Sequence, residues 1–128
     1  FKQTEGDPLI KGKIRQLRME RSRNRMMAAV PEADVVVTNP THYAVALKYD
    51  PLSMAAPKVL AMGVDHLAMR IREVATENGI PIVENPPLAR ALYAAADVDA
   101  EIPEEHYKAV AQVISYVFKL KKKQPGGT

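Results

Sequence analysis

Asn39-Pro40-Thr41-His42 is the one short run of this chain whose residue types and order could carry a covalent reaction. An asparagine amide nitrogen can attack the backbone carbonyl of its own residue, closing a five-membered succinimide and expelling the amine of the next residue. In most Asn-X pairs a rival ring closure wins, because the backbone nitrogen of X attacks the side chain and leads to deamidation. Proline forbids that rival, since its nitrogen carries no hydrogen, and the cyclisation left over is the one that breaks the chain. Nucleophile and target share one residue, so proximity needs no further catalytic group. Pro40 also biases Asn39 away from the α region, and a tight turn between paired strands can hold the amide near its carbonyl. His42 is placed to carry a proton for the collapsing intermediate, because imidazole accepts and donates protons at neutral pH. Thr41 shapes the turn. A half-life on the order of an hour needs a barrier of roughly 22 kcal/mol, so modest positioning suffices for a reaction performed once.

Asn-Pro is also an ordinary turn pair, and residue chemistry alone leaves both a self-cleaving and an inert turn open. The chain contains a second copy, Asn85-Pro86, which reads as a helix start with Asn at the N-cap and Pro at the first helical position. Rival chemistries have less behind them. His66 and His106 are isolated, with no second ligand at metal spacing, so neither a metal nor a cofactor is expected. Gly63 is a lone glycine without a phosphate-binding fingerprint around it. Cysteine is absent, which removes disulfides, thiolate metal sites and a cysteine nucleophile together, and suits a reducing compartment. With no paired carboxylates and no activated serine in view, a small α/β enzyme acting on a separate substrate lacks a site.

The elements that must position the turn follow from periodicity. Ala33 to Thr38 is a β-branched run and Tyr43 to Tyr49 a second apolar segment, so residues 39–42 join two strands of a hairpin. Pro57 to Met62 supplies a third strand. From Val64 the period changes: Val64, Leu67, Ala68, Ile71, Val74 and Ala75 recur at helical spacing, with Arg70, Arg72 and Glu73 on the opposite face. Asn78-Gly79 closes that helix and Ile80 to Val83 gives a fourth strand, making a βαβ unit whose crossover should be right-handed. A helix follows over Asn85 to Tyr93. The last helix opens at Pro103-Glu104-Glu105, closes on Lys119, Lys121, Lys122 and Lys123 in accord with its dipole, and buries Val110, Val113, Ile114 and Val117. The expected class is α/β, a small central mixed sheet of about four strands flanked by helices.

Residues 7–28 read as a helix of good helix formers with a thin apolar stripe, Ile10, Ile14 and Leu17, so its first half is expected to project from the domain. Seven of its residues between Lys11 and Arg25 are basic against one acid, Glu20, whereas the rest of the chain is near neutral. The division that results is a basic connector over 1–30, an α/β domain over 31–122 and a flexible tail over 123–128. A length of 128 residues suits one core, and 47% apolar with 26% charged residues is ordinary for a soluble domain. The start at Phe1 and the want of any apolar stretch near membrane-spanning length read as a soluble piece of a longer protein.

Val35-Val36-Val37-Thr38-Asn39-Pro40-Thr41-His42-Tyr43-Ala44-Val45-Ala46-Leu47 resembles the signature of the type III secretion export-switch family, in its flagellar branch. Ala56-Pro57-Lys58-Val59, Ile71-Arg72-Glu73, Pro86 to Tyr93 and Ile102 to Val113 resemble it in the same order and spacing, so nearly the whole chain is covered. The resemblance implies that Asn39 is a self-cleaving residue and Pro40 a new N-terminus, a single-turnover event that does not make the chain an enzyme. It implies the cytoplasmic domain of a bacterial inner-membrane protein that switches export from rod and hook subunits to filament subunits. The implied partners are other export-apparatus proteins, a hook-length-control protein and rod or hook substrates. The basic helix then reads either as a juxtamembrane connector or as a solvated charged helix; nucleic acid is not expected, since no binding module accompanies the charge. Ala56, Pro57, Ala111 and Ile114 are expected to border an apolar groove for an export signal. A binding-only module with an inert Asn39-Pro40 turn is the competing function.

Overall fold

A computed structural model describes residues 21–40 and 42–123, with the side chains of 121–123 left aside. Helix α1 is seen over residues 21–29 and runs into a 3-10 turn, Val30–Glu32, at Pro31. Strands β1 (Val35–Asn39), β2 (Tyr43–Lys48) and β3 (Lys58–Val64) follow, then α2 (Asp65–Glu77), β4 (Ile82–Glu84) and α3 (Pro86–Ala95). A second 3-10 turn, Glu104–His106, leads into α4 (Tyr107–Lys123). The half of the basic helix expected to project and the tail from 124 onward lie outside the described residues.

The four strands form one sheet in the order β3-β2-β1-β4. The β1–β2 and β2–β3 pairs are antiparallel and β1–β4 is parallel, so β3, α2 and β4 make the expected βαβ unit with two strands between its ends. β1 is central and covered on both faces. Its residues alternate: Val35 and Val37 enter a core with β2, β3, α3 and α4, while Val36 enters a second core with α1 and α2. Cover on both sides is why the strand reads as a continuous β-branched run rather than an alternating one. The first core is built of large side chains, including Leu47, Leu92, Val110 and Val117, and it takes in the predicted stripe of the last helix. The second is lined by Ala44, Ala46, Ala61, Ala68 and Ala75, which lets α2 sit close to the sheet.

Several boundaries depart from the sequence reading for reasons of pairing. β3 continues through Gly63 to Val64, because Ala44 and Tyr43 are still available as partners. A register shift between Ala46 and Leu47 pairs Ala46 with Ala61 and Leu47 with Val59. Leu60 is therefore the extra residue of a bulge, and Leu60 and Ala61 both face the second core. β4 shrinks to three residues and shifts to Ile82–Glu84, since only Val36, Val37 and Thr38 are there to pair with it. α1 has more anchorage than its thin stripe suggests: Met26 and Val30, one helical turn apart, are buried against α2 and the sheet.

Candidate functional site

The turn between β1 and β2 is held by its own backbone and by α2. β1 ends at Asn39 because Pro40 has no N–H to continue the ladder, and Asn39 already faces Tyr43 across the hairpin. Only three residues, 40–42, close the loop. The His42 N–H donates to the Asn39 carbonyl at 2.8 Å, a β-turn with proline at the position whose backbone angle it presets. The carbonyl that accepts this bond is the one an Asn39 amide would attack. A donor on it draws electron density toward oxygen and is already in place for the negative charge that develops there in a tetrahedral intermediate.

Two further carbonyls of the loop are gripped from α2. The Asp65 N–H donates to the His42 carbonyl at 3.0 Å, and the Arg72 guanidinium donates to the Pro40 carbonyl. Asp65 takes a φ of 46°, in the left-handed region that aspartate tolerates better than most residues. Its carboxylate Oδ1 lies 3.6 Å from His42 Nδ1, and both side chains are largely exposed. On the other flank the Tyr43 ring packs against Tyr93 of α3 at 5.2 Å and a tilt of 49°. β1 itself is tied to the start of α3 through the Asn85 N–H, which donates to the Thr38 carbonyl at 2.9 Å.

The residues singled out from sequence divide cleanly. Asn39, Pro40 and His42 come together in the hairpin turn, and Thr41 lies outside the described residues. Asn85 caps α3 as expected, its side-chain oxygen accepting from the Leu88 N–H at 3.3 Å. The four residues expected to border a groove do not share a surface: Ala56, Pro57 and Ile114 are buried and Ala111 is exposed. A surface cavity of about 680 Å³ lies elsewhere, between α1 and the β3–α2 junction, with Met26, Met27, Met62 and Leu67 on its wall. Two residues at the turn escape a reading of the sequence. Helical periodicity puts Arg72 on a solvent face, but it is half-buried and reaches a carbonyl 32 residues away in sequence; Asp65 carries no distinguishing signal. Neither contact is local, so no spacing rule could find it. Among the described residues no helix is long and apolar enough to cross a membrane.

Residues 1–117 match the model of the family described as FlhB HrpN YscU SpaS. The chain is 54% identical over 123 residues to the flagellar biosynthetic protein FlhB of Bacillus subtilis, covering 96% of this chain and 34% of that protein. It thus spans about a third of the length of the curated relatives it matches. The crystal structure of the cytoplasmic domain of FlhB from Shewanella putrefaciens matches with a TM-score of 0.77 and 56% identity, over 82% of this chain and 81% of that one. A C-terminal domain of EscU in which an asparagine is replaced by alanine matches with a TM-score of 0.69 and 33% identity, over 72% of this chain and 92% of that one. Other matching EscU structures carry a substitution at the proline that follows this asparagine, or at a histidine two residues beyond the proline.

Proposed function

The chain belongs to the FlhB HrpN YscU SpaS family, and from that premise we propose that it is a self-cleaving module of a flagellar type III export apparatus, cut once between Asn39 and Pro40. The observation that carries the reading is the turn itself. The Asn39 carbonyl accepts from the His42 N–H at 2.8 Å in a three-residue loop that begins with proline. The Asn-Pro-x-His spacing also coincides with the positions substituted in the EscU domains.

In the proposed reaction the Asn39 amide nitrogen Nδ2 attacks the Asn39 carbonyl carbon and gives up a proton, for which the His42 imidazole, three residues on, is the proposed acceptor. The oxyanion is met by the His42 N–H. Collapse breaks the bond to the Pro40 nitrogen, which takes a proton and leaves as a secondary amine. Asn39 is left as a C-terminal succinimide, and water opens the ring to a carboxylate. The balance needs no cofactor, and one event per chain makes this autoproteolysis rather than turnover catalysis.

The role that follows is a part in switching export from rod and hook subunits to filament subunits, on the cytoplasmic side of a bacterial inner-membrane protein. Its partners are other export-apparatus proteins, a hook-length-control protein and the exported subunits. The likeness to a FlhB cytoplasmic domain supports the placement. The test is intact mass under denaturing conditions. In proportion to 39 and 89 of 128 residues, the 14.1 kDa chain should give pieces of about 4.3 and about 9.8 kDa. Asn39→Ala should leave a single uncut species of unchanged fold. An uncut parent chain after prolonged incubation at neutral pH would reduce the domain to a binding module with an inert turn.

A further inference from the structure

We infer that Arg72 is a positioning residue for the cut: its guanidinium pins the Pro40 carbonyl, so that the Asn39-Pro40 peptide stays in place while the Asn39 amide swings onto its own carbonyl. The inference rests on the self-cleavage reading above. Arg72 sits in the second half of α2, on the side turned to the hairpin. It differs from its neighbour Arg70, which is exposed and pairs with Glu73 one turn on at 3.2 Å, as a surface helix arginine does. Arg72 is half-buried and directs Nη1 at the Pro40 carbonyl.

A second observation is that this arginine carries a cost to the fold. Its Nε is buried and has no hydrogen-bond partner among the described residues. A buried donor left unmade is expensive, and an apolar side chain of similar length would remove the penalty while keeping the packing of the stem. An arginine kept at such a place in spite of that cost points to what its other nitrogens do. Nη1 grips the first carbonyl on the leaving-group side of the scissile bond.

The geometry explains why that grip matters. To reach its own carbonyl carbon, the Asn39 amide must rotate about the bonds flanking the Asn39 Cα. The ladder to Tyr43 holds the N-terminal side of the turn, and Asp65 holds the His42 carbonyl at the far end. Between them the peptide linking Asn39 to Pro40 is held only through its carbonyl, by the His42 N–H, and has no N–H of its own. With the Pro40 carbonyl free as well, the peptide can turn with the rotation and lengthen the attack distance. Arg72 supplies a second anchor, on the Pro40 side of the bond, through a charge-assisted bond from a packed helix, and misplacement on the order of 1 Å can cost about 10²-fold in such reactions.

The experiment is a pulse of cell-free synthesis of the whole chain followed by a chase. Samples are quenched in acid denaturant, and the uncut fraction is read by mass. Arg72→Met should slow the cut about tenfold or more, the scale of one lost charge-assisted bond, and Arg72→Lys, which can still donate to the carbonyl, should recover part of the rate. Thermal melting in an uncut Asn39→Ala background gives the readout that a structural role would move: adding Arg72→Met should leave the midpoint unchanged or raise it. If the parent chain is never cut, the self-cleavage reading fails and takes this one with it. If the parent is cut and Arg72→Met is cut at the parent rate, Arg72 alone is wrongly placed. Slow cutting by Arg72→Met, with a matching fall in melting midpoint and no recovery by Arg72→Lys, would overturn positioning in favour of a plain structural role.

Discussion

Two asparagines in this chain precede proline, with the same covalent chemistry and different surroundings, and the difference decides which bond should break. Asn85 is committed to a helix. Its side-chain oxygen accepts from the Leu88 N–H at 3.3 Å, so the amide is held off the carbonyl it would attack, and this cap is the difference, since the carbonyls of both asparagines accept a backbone N–H. Asn39 ends a strand, and its carbonyl is held by the His42 N–H of the same turn. N-terminal sequencing of denatured, fully cut material should therefore find Pro40 and not Pro86. Comparable yields of the two would show that the dipeptide reacts regardless of turn geometry, against the proposed mechanism. At this scale much is legible in the sequence: the cap at Asn85 and the hairpin placement of Asn39, Pro40 and His42 follow from local chemistry. Arg72 and Asp65 are not legible, because each is defined by a carbonyl more than twenty residues away in sequence that only the folded sheet brings within reach.

α2 is the element on which the site depends, since it carries both Asp65 and Arg72, and its seating on the sheet is set at the β3–α2 junction. Gly63 is the tight point there. A Cβ at Gly63 would stand 2.5 Å from Leu67 Cγ and 2.8 Å from Leu67 Cβ. The second of those atoms is fixed to the helix backbone, so rotation of the side chain cannot relieve the clash and α2 must move. Gly63→Ala should accordingly destabilise the domain by about 1–3 kcal/mol, as overpacking does, visible as a drop of several degrees in the melting midpoint. It should slow the cut as well, by displacing the two residues that grip the loop. Normal stability and normal cutting together would mean that α2 can shift without disturbing the turn. In the sequence this glycine marks only the place where the period changes, because close approach is a property of two packed elements. The elements themselves are largely readable from their periods. Their ends are not, because the bulge at Leu60 and the three-residue β4 are set by which partners remain unpaired.

Cutting at Asn39-Pro40 divides the molecule along its middle. The piece ending at Asn39 owns β1, the central strand, which is bonded to β2 on one side and to β4 on the other, both of which belong to the larger piece. Val35, Val36 and Val37 are fully buried and lie in both cores. At about 1.5–3 kcal/mol for each buried side chain, these three valines alone resist loss of the strand by several kcal/mol, so the pieces should migrate together under native conditions and part only on denaturation. The cut does change the order of the unfolding reaction. An uncut chain unfolds as one molecule, and its midpoint is independent of concentration. A cut chain unfolds into two, so mass action makes its stability depend on concentration, and each tenfold dilution removes about 1.4 kcal/mol. For a domain of this size that lowers the midpoint by about 5 °C. Melting curves of the cut chain and of Asn39→Ala, each taken at two concentrations tenfold apart, should diverge in this way: the first moves, the second does not. A cut chain whose midpoint ignores dilution would mean that β1 stays bound through the thermal transition, and that the sheet is held by something other than the two cores β1 joins.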